Sequence, residues 1–443
     1  MINAVDSNLY LYCLIFWVVG LGLTVFLTRA KKTLGVGLPA LFLAMMFLNH
    51  WFGALVCYLP WYRPDPLWNK PNHVALTYEG FYQATVGVAG FLMGCLILAP
   101  FLIRKTLTSD GPQDPNKIPA VANLNIKAGL LCYVLMAIGA GLIGSATSLL
   151  TAGFNLILAG MTLYVWRGNL LNNPTLMRWP VLIAAAFPFF TLITQGFLGF
   201  GVSYFIVVAA FYAHFHGLNI RWLIATPIIL YLGLTFFVTY MRDRSTIRDS
   251  VWGERGVQST TDRVFRSAST FEWFDLQNNK HLERINSRLN QNSLVGSSVQ
   301  YIERTGKYAD GETLWTALVA LIPRALWPNK PISAGSGNLV TRYTGIKFAE
   351  GTSVAIGMIM EFYVNFGTAC VFIGLLVVGF LIRLLDTHAG SCLKAGDYGG
   401  FATGFLAGLS LLNVNGSMVE ITVCFVASIV VTKIATYWIG KTR

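Results

Sequence analysis

The sequence predicts an all-α, polytopic integral membrane protein that crosses the bilayer about eleven or twelve times. The chain has 443 residues, of which 55% are hydrophobic and only 12% are charged, whereas a soluble domain carries about 25% charged residues. Its apolar residues form long continuous runs, unlike the short alternating segments of a membrane β-barrel. Together these features exclude the soluble, disordered, fibrous and disulfide-scaffold classes.

Eleven apolar runs are long enough to cross a bilayer, which takes about 20 mainly apolar residues. The predicted spans are 9–28, 35–59, 81–103, 127–144, 147–166, 179–197, 201–217, 221–240, 353–382, 398–415 and 418–438. A twelfth apolar stretch, 314–323, is too short to cross alone. The connections 141–153 and 195–203 are short, so re-entrant turns stay open there.

The basic residues predict the orientation of these spans. One side of the predicted topology carries Arg29, Lys31, Lys32, Arg104, Lys105, Lys117, Lys127, Arg167, Arg178, Arg221, Arg383, Lys394, Lys441 and Arg443. The loop 60–78 on the other side has only Arg63 and Lys70. Because basic loops stay in the cytoplasm, the N-terminus is expected outside and the C-terminus inside. The net charge of +12 is therefore interpreted as topology and not as nucleic-acid binding.

A long polar segment, 241–312, divides the predicted spans into two groups. It holds 11 of the basic residues and 10 of the 20 acidic residues of the chain. We therefore predict three regions: N-terminal transmembrane helices over 1–240, an external loop over 241–312, and a motif segment with the C-terminal helices over 313–443. Helix-like composition over 260–273 and 279–299 predicts that the loop folds as a small helical cap.

Three arginines open this loop directly after a predicted span. Arg242, Arg244 and Arg248 stand at the expected outer membrane boundary. Their planar guanidinium groups suit a lipid-linked diphosphate, since each donates paired hydrogen bonds and keeps its charge. Anchoring to lipid headgroups, with Asp243 and Asp249 neutralising part of the charge, is the alternative that position alone leaves open.

A second motif follows the short apolar stretch. In the segment 321–331, Arg324 and Lys330 flank Trp327 and prolines that prevent a regular helix. Irregular backbone at membrane depth is usually tolerated only inside a protein or along a wet cavity. The motif therefore predicts a ligand site, with an interfacial turn as the alternative.

A third pattern places a carboxylate inside a predicted span. Ser353, Gly357, Glu361 and Asn365 are four residues apart and so share one helix face. An unpaired acid in mid-span costs roughly 2.5–3.5 kcal/mol, so Glu361 needs a cation or water, and Arg324 is the natural partner. A structural ion pair and a general base are both consistent with this pattern.

The remaining candidates have less context. Glu420 lies at the turn before the last span, and His281 is the one histidine of the external loop. The seven cysteines form no CxxC pair, and neither a metal-binding motif nor a nucleotide-binding motif occurs. We therefore expect no metal and no cofactor.

The order of the outward motifs resembles that of the Wzy-type bacterial polymerases, which join O-antigen and exopolysaccharide repeat units. The resemblance rests on the long external loop, then Pro-Arg-Ala-Leu-Trp-Pro-Asn-Lys-Pro (323–331), then Glu-Phe-Tyr-Val-Asn-Phe-Gly (361–367). Two matches to an Arg-x10-Gly pattern support it, from Arg242 to Gly253 and from Arg324 to Gly335.

This resemblance implies a metal-independent glycosyltransferase of the bacterial inner membrane with a GT-C-like helical fold. Such an enzyme transfers a glycan en bloc from undecaprenyl diphosphate to a sugar hydroxyl of a second lipid-linked repeat unit. The flippase and the chain-length regulator of the same pathway are the expected partners, besides membrane lipid. The N-terminus would then be periplasmic.

The resemblance also implies a role for each candidate residue. Glu361 takes or orients the acceptor proton, and Arg324 stabilises the leaving diphosphate. Arg242, Arg244, Arg248 and Lys330 would bind that diphosphate. Sugar contacts fall to Trp327, Tyr363 and Asn365, with His281 and Glu420 as secondary candidates.

Three other functions are consistent with the same sequence. O-antigen ligases share the layout and often use an external histidine, for which only His281 is present. A flippase or secondary transporter would show internal repeats and discontinuous helices near mid-membrane, and no repeat is evident. A partner-binding subunit of polysaccharide assembly would not need Glu361 and Arg324.

Overall fold

The computed structural model is mainly helical, and the residues that it describes contain no β-strand. It describes residues 7–29, 34–67, 69–103, 111, 113–139, 144–217, 220–252, 270–322, 327, 335–348 and 354–441. The helices are α1 (Ser7–Arg29), α2 (Leu38–Tyr58), α3 (His73–Leu102), α4 (Ile118–Ala137), α5 (Gly144–Phe154), α6 (Leu156–Leu170), α7 (Pro174–Ala184), α8 (Phe187–Gln195), α9 (Leu198–His216), α10 (Ile220–Trp252), α11 (Asn279–Leu289), α12 (Asn292–Thr305), α13 (Glu312–Ala320), α14 (Ser336–Thr344), α15 (Gly357–Lys394), α16 (Tyr398–Ser410) and α17 (Met418–Lys441).

Nine helical segments of the described residues are long and apolar enough to cross a membrane. The prediction of a polytopic helical membrane protein is thereby confirmed. These segments are Ser7–Thr28, Leu38–Tyr58, His73–Leu102, Ile118–Ala137, Thr147–Leu170, Pro174–Gln195, Leu198–His216, Gly357–Lys394 and Met418–Tyr437. The predicted span 221–240 lies in α10, which continues into the charged segment and is not among the nine.

The predicted span 398–415 is wrong in its extent. Helix α16 has 13 residues, a length of about 20 Å, whereas the hydrocarbon core is about 30 Å thick. The apolar residues Leu411, Leu412 and Val414 are buried in a turn that follows the helix. Their hydrophobicity reflects this buried turn and not a continued helix.

The described residues group into two compact units. The first unit comprises 1–59, 64–160 and 288–443, and the second comprises 60–63 and 161–287. In the second unit, Gly196 and Phe197 join α8 to α9. The stretch 195–203, considered above as a re-entrant turn, is thus a tight connection between two helices.

Glycines allow the main helices of the first unit to pack with their backbones in contact. A Cβ atom on Gly90 of α3 would lie 2.2 Å from the Phe372 carbonyl oxygen of α15. A Cβ atom on Gly296 of α12 would lie 1.9 Å from the Leu76 carbonyl oxygen of α3. Only small residues permit such close helix approach. Helix α12 therefore packs deeply against a membrane helix, although its sequence belongs to the polar segment.

The helical cap was predicted correctly only in part. Helices α11 and α12 cover the predicted stretch 279–299. Residues 271–273 of the other stretch, and 274–275 after it, have no regular secondary structure and lie along α10 in the second unit. There the Glu272 N–H donates to Thr239 Oγ1 at 3.1 Å, and the Phe274 N–H donates to Thr235 Oγ1 at 3.2 Å. Residues 260–269 lie outside the described part.

Helix α15 departs from the predicted span 353–382 at both ends and in the middle. It begins at Gly357 and runs to Lys394, but Phe366 and Gly367 interrupt it, with φ 68° and ψ −157° at Gly367. Glycine is the residue that adopts such angles without strain. At this interruption, the Val364 carbonyl accepts a hydrogen bond at 2.8 Å from the N–H of Ala309, which lies in the segment before α13.

Arg383, predicted in a loop, lies inside α15 and is buried. Its Nη1 donates to Asp386 Oδ2 at 2.7 Å. Asp386 Oδ1 accepts the backbone N–H groups of Val36, Gly37 and Leu38 at 2.9, 2.9 and 3.0 Å. The carboxylate thus caps α2, and a buried ion pair replaces the expected exposed cation. Burial of Arg383 is tolerated because Asp386 is one turn away.

Candidate functional site

The Glu361 carboxyl lies in the short first segment of α15, before the interruption. The residue is 0% exposed. Its Oε2 accepts the backbone N–H of Met418, at the start of α17, at 2.7 Å. Its Oε1 is buried and accepts no hydrogen bond from the described residues. The side chain of Thr313 from α13 lies beside the same carboxyl.

Asn365, one turn further along α15, determines the direction of the hydrogen bonds around this carboxyl. Its Nδ2 donates to the Glu361 backbone carbonyl and to Thr313 Oγ1, both at 2.7 Å. Because a carbonyl only accepts, the Asn365 amide orientation is settled. Thr313 Oγ1 accepts this bond and keeps its own hydrogen to donate. Glu361 and Asn365 therefore share a helix face, as predicted.

Two acceptor oxygens remain without a donor in this region. Asn365 Oδ1, like Glu361 Oε1, is buried and bonds to no described residue. A buried acceptor without a donor costs about 1–3 kcal/mol. The site therefore favours a ligand or side chain that brings a hydrogen to these oxygens, such as a hydroxyl, an ammonium or guanidinium group, or a proton.

The turn before α17 positions the beginning of α15. The Gly357 N–H donates to the Asn415 carbonyl at 3.1 Å, and the Met358 N–H donates to the Val414 carbonyl at 3.0 Å. In return, Glu361 accepts the first N–H of α17. The turn thus satisfies the first N–H groups of α15, and Glu361 of α15 satisfies the first N–H of α17, which fixes the Glu361 side chain between two helix ends.

Glu420 has a structural role at the same turn. Its Oε2 accepts the Ser417 N–H at 3.1 Å, and its own N–H donates to Ser417 Oγ at 3.3 Å. This reciprocal pair is a capping box, and the Ser-x-x-Glu spacing in the sequence is its signature. The Glu420 side chain caps α17 and is exposed.

The other predicted residues of the first unit are only partly described. Tyr363 is buried in α15, and Trp327 is 39% exposed. Arg324 and Lys330 lie outside the described residues, so the Glu361–Arg324 ion pair stays a prediction. Ser353, the first of the four residues predicted to share one helix face, also lies outside the described residues.

In the second unit, Arg242 bonds to neighbouring protein groups. Its Nε and Nη2 donate to the Asp243 carboxylate at 2.9 and 2.7 Å. Its Nη1 and Nη2 donate to the Thr270 carbonyl and hydroxyl, both at 2.8 Å. Four of its five N–H donors are thus engaged within the chain, and the diphosphate role predicted for Arg242 would require some of these bonds to break.

Arg244 and Arg248 lie one turn apart on α10. The Arg248 guanidinium lies 4.8 Å from the centre of the Phe197 ring. Burial and the nearby Arg244 charge lower the pKa of Arg248. Two like charges one turn apart repel each other, and the diphosphate role of Arg244 and Arg248 stays a prediction.

His281 is held at both ring nitrogens. The Asp275 N–H donates to Nδ1 at 3.0 Å, so Nε2 carries the hydrogen and donates to Glu272 Oε1 at 2.8 Å. Glu272 also accepts a hydrogen bond from Arg284 Nη1 at 2.9 Å. The hydrogen bond from His281, followed by that from Arg284, lowers the Glu272 pKa. This geometry is that of a structural histidine and not of a free general base.

Among the described residues, no group of three or more His, Cys, Asp and Glu side chains is placed to hold a metal ion. A family model matches residues 82–428, more than three quarters of the chain, and describes them as a domain of unknown function, DUF8712. The chain belongs to the DUF8712 family. No curated protein and no solved structure matches it. The DUF8712 match includes Glu361, Asn365 and Thr313, and also the arginines of α10.

Sequence reasoning missed a buried amide network in the first unit of this DUF8712 protein. Asn292 Oδ1 bonds to His50 Nδ1 at 2.7 Å, and Asn292 Nδ2 donates to the His50 carbonyl at 2.7 Å and to Asn290 Oδ1 at 3.0 Å. Asn290 Nδ2 donates to Thr77 Oγ1 at 3.0 Å. The run Asn-Gln-Asn over 290–292 was the available signal, but only the fold shows that it faces α2 and α3.

Proposed function

We propose that this DUF8712 protein is a membrane glycosyltransferase that polymerises lipid-linked oligosaccharide repeat units, with Glu361 as its general base. The observation that carries the proposal is the buried Glu361 carboxyl with one oxygen lacking a donor. Carboxylates buried in membrane segments are costly, and they commonly mark functional sites. The motif resemblance supplies the reaction class.

In the proposed reaction, an acceptor sugar hydroxyl gives its proton to Glu361 Oε1. The hydroxyl oxygen then bonds to the anomeric carbon of the donor glycan. The bond from that carbon to the diphosphate oxygen breaks, and undecaprenyl diphosphate leaves with the electron pair. The Thr313 hydroxyl is placed to hold the carboxyl during proton transfer.

The leaving diphosphate gains charge as its bond breaks, and fixed cations stabilise such charge. Arg324 and Lys330 are the proposed ligands in the motif that precedes α14, with Trp327 and Tyr363 against the sugar. The fold proposed for this reaction is GT-C-like. The proposed location is the bacterial inner membrane, with a periplasmic N-terminus, a cytoplasmic C-terminus and the site on the outer side.

The test is a deletion strain whose surface polysaccharide is separated on a silver-stained gel. Wild type should restore a ladder, whereas Glu361→Gln and Arg324→Ala should leave single repeat units at normal protein levels. Glu303→Gln, an exposed acid of α12, is the matched control and should restore the ladder. Unchanged glycans in the deletion strain would refute the proposal, and accumulation of untransferred polymer would indicate a ligase.

A second candidate function is proton-coupled transport, and one observation favours it. Helix α15 is discontinuous beside the buried Glu361, and secondary transporters build their sites on such broken helices. Glu361 would then carry the coupled proton. Uptake into vesicles that stops on collapse of the proton gradient, together with normal glycans in the deletion strain, would favour this function.

A further inference from the structure

The Glu361 carboxyl has no contact with solvent in this structure. It is 0% exposed, yet any ligand that exchanges a proton with Oε1 must reach it. One of the elements that cover it is α13, whose Thr313 lies beside the carboxyl. Ala317, one turn further along the same face, lies next to α17, with its carbonyl oxygen 3.2 Å from Thr422 Oγ1.

Helix α13 is a barrier of one helix thickness. Thr313 and Ala317 on its inner face are 4% and 3% exposed, whereas Trp315 and Leu318 on its outer face are 66% and 56% exposed. Its nine residues give a length of about 14 Å, too short to anchor it as a span. Displacing this helix would uncover the side of the Glu361 carboxyl that Thr313 covers.

The connection that precedes α13 has an unusual backbone. Asp310 and Gly311 both have positive φ, at 46° and 88°. A non-glycine residue with positive φ is uncommon, and such angles cluster in segments that move or hold strain. Phe366, at the interruption of α15, lies over Gly311. The two backbone irregularities of this region therefore lie side by side.

Apolar packing and polar bonds both hold α13 in place, since Ala317 and Val319 are buried and Glu312 forms an ion pair. Arg342 Nη1 and Nη2 donate to the Glu312 carboxylate, both at 2.9 Å, and this ion pair is exposed. Exposed ion pairs contribute little to stability. On the inner face of α13, Thr313 Oγ1 accepts a hydrogen bond from Asn365 Nδ2 at 2.7 Å, and the Ala317 carbonyl accepts one from Thr422 Oγ1 at 3.2 Å.

We propose that α13 is a lid that opens at Asp310–Gly311 to admit a hydroxyl-bearing ligand to Glu361 and closes to place Thr313 against the carboxyl. The purpose of the lid rests on the function proposed above. The movement of α13 does not depend on that function. The experiment therefore measures access to Glu361 directly and needs no enzymatic assay.

The experiment locks α13 onto α17 and then probes Glu361. Ala317→Cys with Thr422→Cys is bridged by a short bifunctional methanethiosulfonate. Membranes are then treated with dicyclohexylcarbodiimide, whose central carbon bonds to the carboxyl oxygen while the carboxyl proton moves to its nitrogen. Rearrangement to the N-acylurea keeps the whole reagent on the residue, so mass spectrometry of the Glu361 peptide reports access.

Four controls test whether slower labelling results from the bridge between α13 and α17. Each single cysteine variant, treated in the same way, accounts for reaction at the native cysteines. Glu361→Gln must abolish labelling of this peptide. Labelling of exposed Glu420 by a water-soluble carbodiimide with an amine must stay the same in the bridged protein, which shows that α17 is intact.

The lid predicts labelling of Glu361 without the bridge, at least a ten-fold slower rate with it, and recovery after reduction with dithiothreitol. Equal labelling with and without the bridge would overturn the proposal, and so would absence of labelling in the unbridged protein. Slower labelling in the bridged protein, combined with unchanged glycans in the deletion strain, would support the lid while refuting the proposed glycosyltransferase.

Discussion

Removal of the Asp386 carboxylate should strongly destabilise the first unit. Asp386 is 0% exposed and accepts four hydrogen bonds, three from the backbone of residues 36–38 and one from Arg383. Breaking a buried pair by removing one partner costs about 3–5 kcal/mol. Each backbone N–H that loses its acceptor adds about 0.5–1.5 kcal/mol, less where water enters.

We therefore expect Asp386→Ala to lower the free energy of unfolding by at least about 4 kcal/mol. Asp386→Asn should cost less, about 3 kcal/mol, because the amide oxygen still accepts the three N–H groups while the charge of Arg383 loses its partner. The double variant Asp386→Leu with Arg383→Met should lie between wild type and Asp386→Ala, since it removes the unpaired charge and leaves only the N–H groups.

The assay is unfolding of the purified protein in detergent micelles, by heat and by titration with sodium dodecyl sulfate, with residual helix measured by circular dichroism. Asp386→Ala within 1 kcal/mol of wild type would refute this reasoning. A double variant no more stable than Asp386→Ala would show that the cost lies in the α2 cap and not in the ion pair.

Three further variants test other parts of the structure. Gly367→Ala should cost about 1–3 kcal/mol because its φ of 68° strains any side chain, whereas Gly199→Ala, with no atom within 4 Å of the new Cβ, should leave thermal unfolding unchanged. Gly296→Ala should separate α12 from α3 and lower the midpoint of thermal unfolding by several degrees, because its Cβ would lie 1.9 Å from a backbone oxygen. Glu272→Gln should remove stability at neutral pH. The hydrogen bond from His281 lowers the Glu272 pKa. The stability that the Glu272 carboxylate contributes is therefore present above the unfolded-state pKa of about 4.3, and it is lost as the pH falls through the lower folded-state pKa. The difference in unfolding between wild type and Glu272→Gln should therefore vanish in acid, and a difference that persists there would contradict this account.

Composition and apolar run length predicted the membrane helices well, because each span must satisfy its own backbone hydrogen bonds in lipid. Composition and run length gave wrong predictions where contacts within the protein, and not contacts with lipid, determine the conformation. The apolar residues Leu411, Leu412 and Val414 are buried in a turn and not in a helix, and Arg383 stays in α15 because Asp386 neutralises it. The interruption at Gly367 depends on contacts with the segment 308–311, which the sequence alone does not show.

The candidate site was predictable in part for the same reason. Helical periodicity placed Glu361 and Asn365 on one face, and their shared burial confirms that placement. The capping role of Glu420 was also readable from Ser417, three residues earlier. The contribution of Thr313 was not, since it comes from a helix 48 residues away along the chain and no local pattern marks it.

In the proposed function, the Glu361 carboxyl carries out the proton transfer of a polymerase. The most direct test of this role uses purified protein in liposomes with undecaprenyl-diphosphate-linked repeat units and follows chain length on a gel. Wild type should lengthen the glycan, and Glu361→Gln should be slower by at least ~100-fold with an unchanged midpoint of thermal unfolding. Elongation by Glu361→Gln at the wild-type rate would contradict this role.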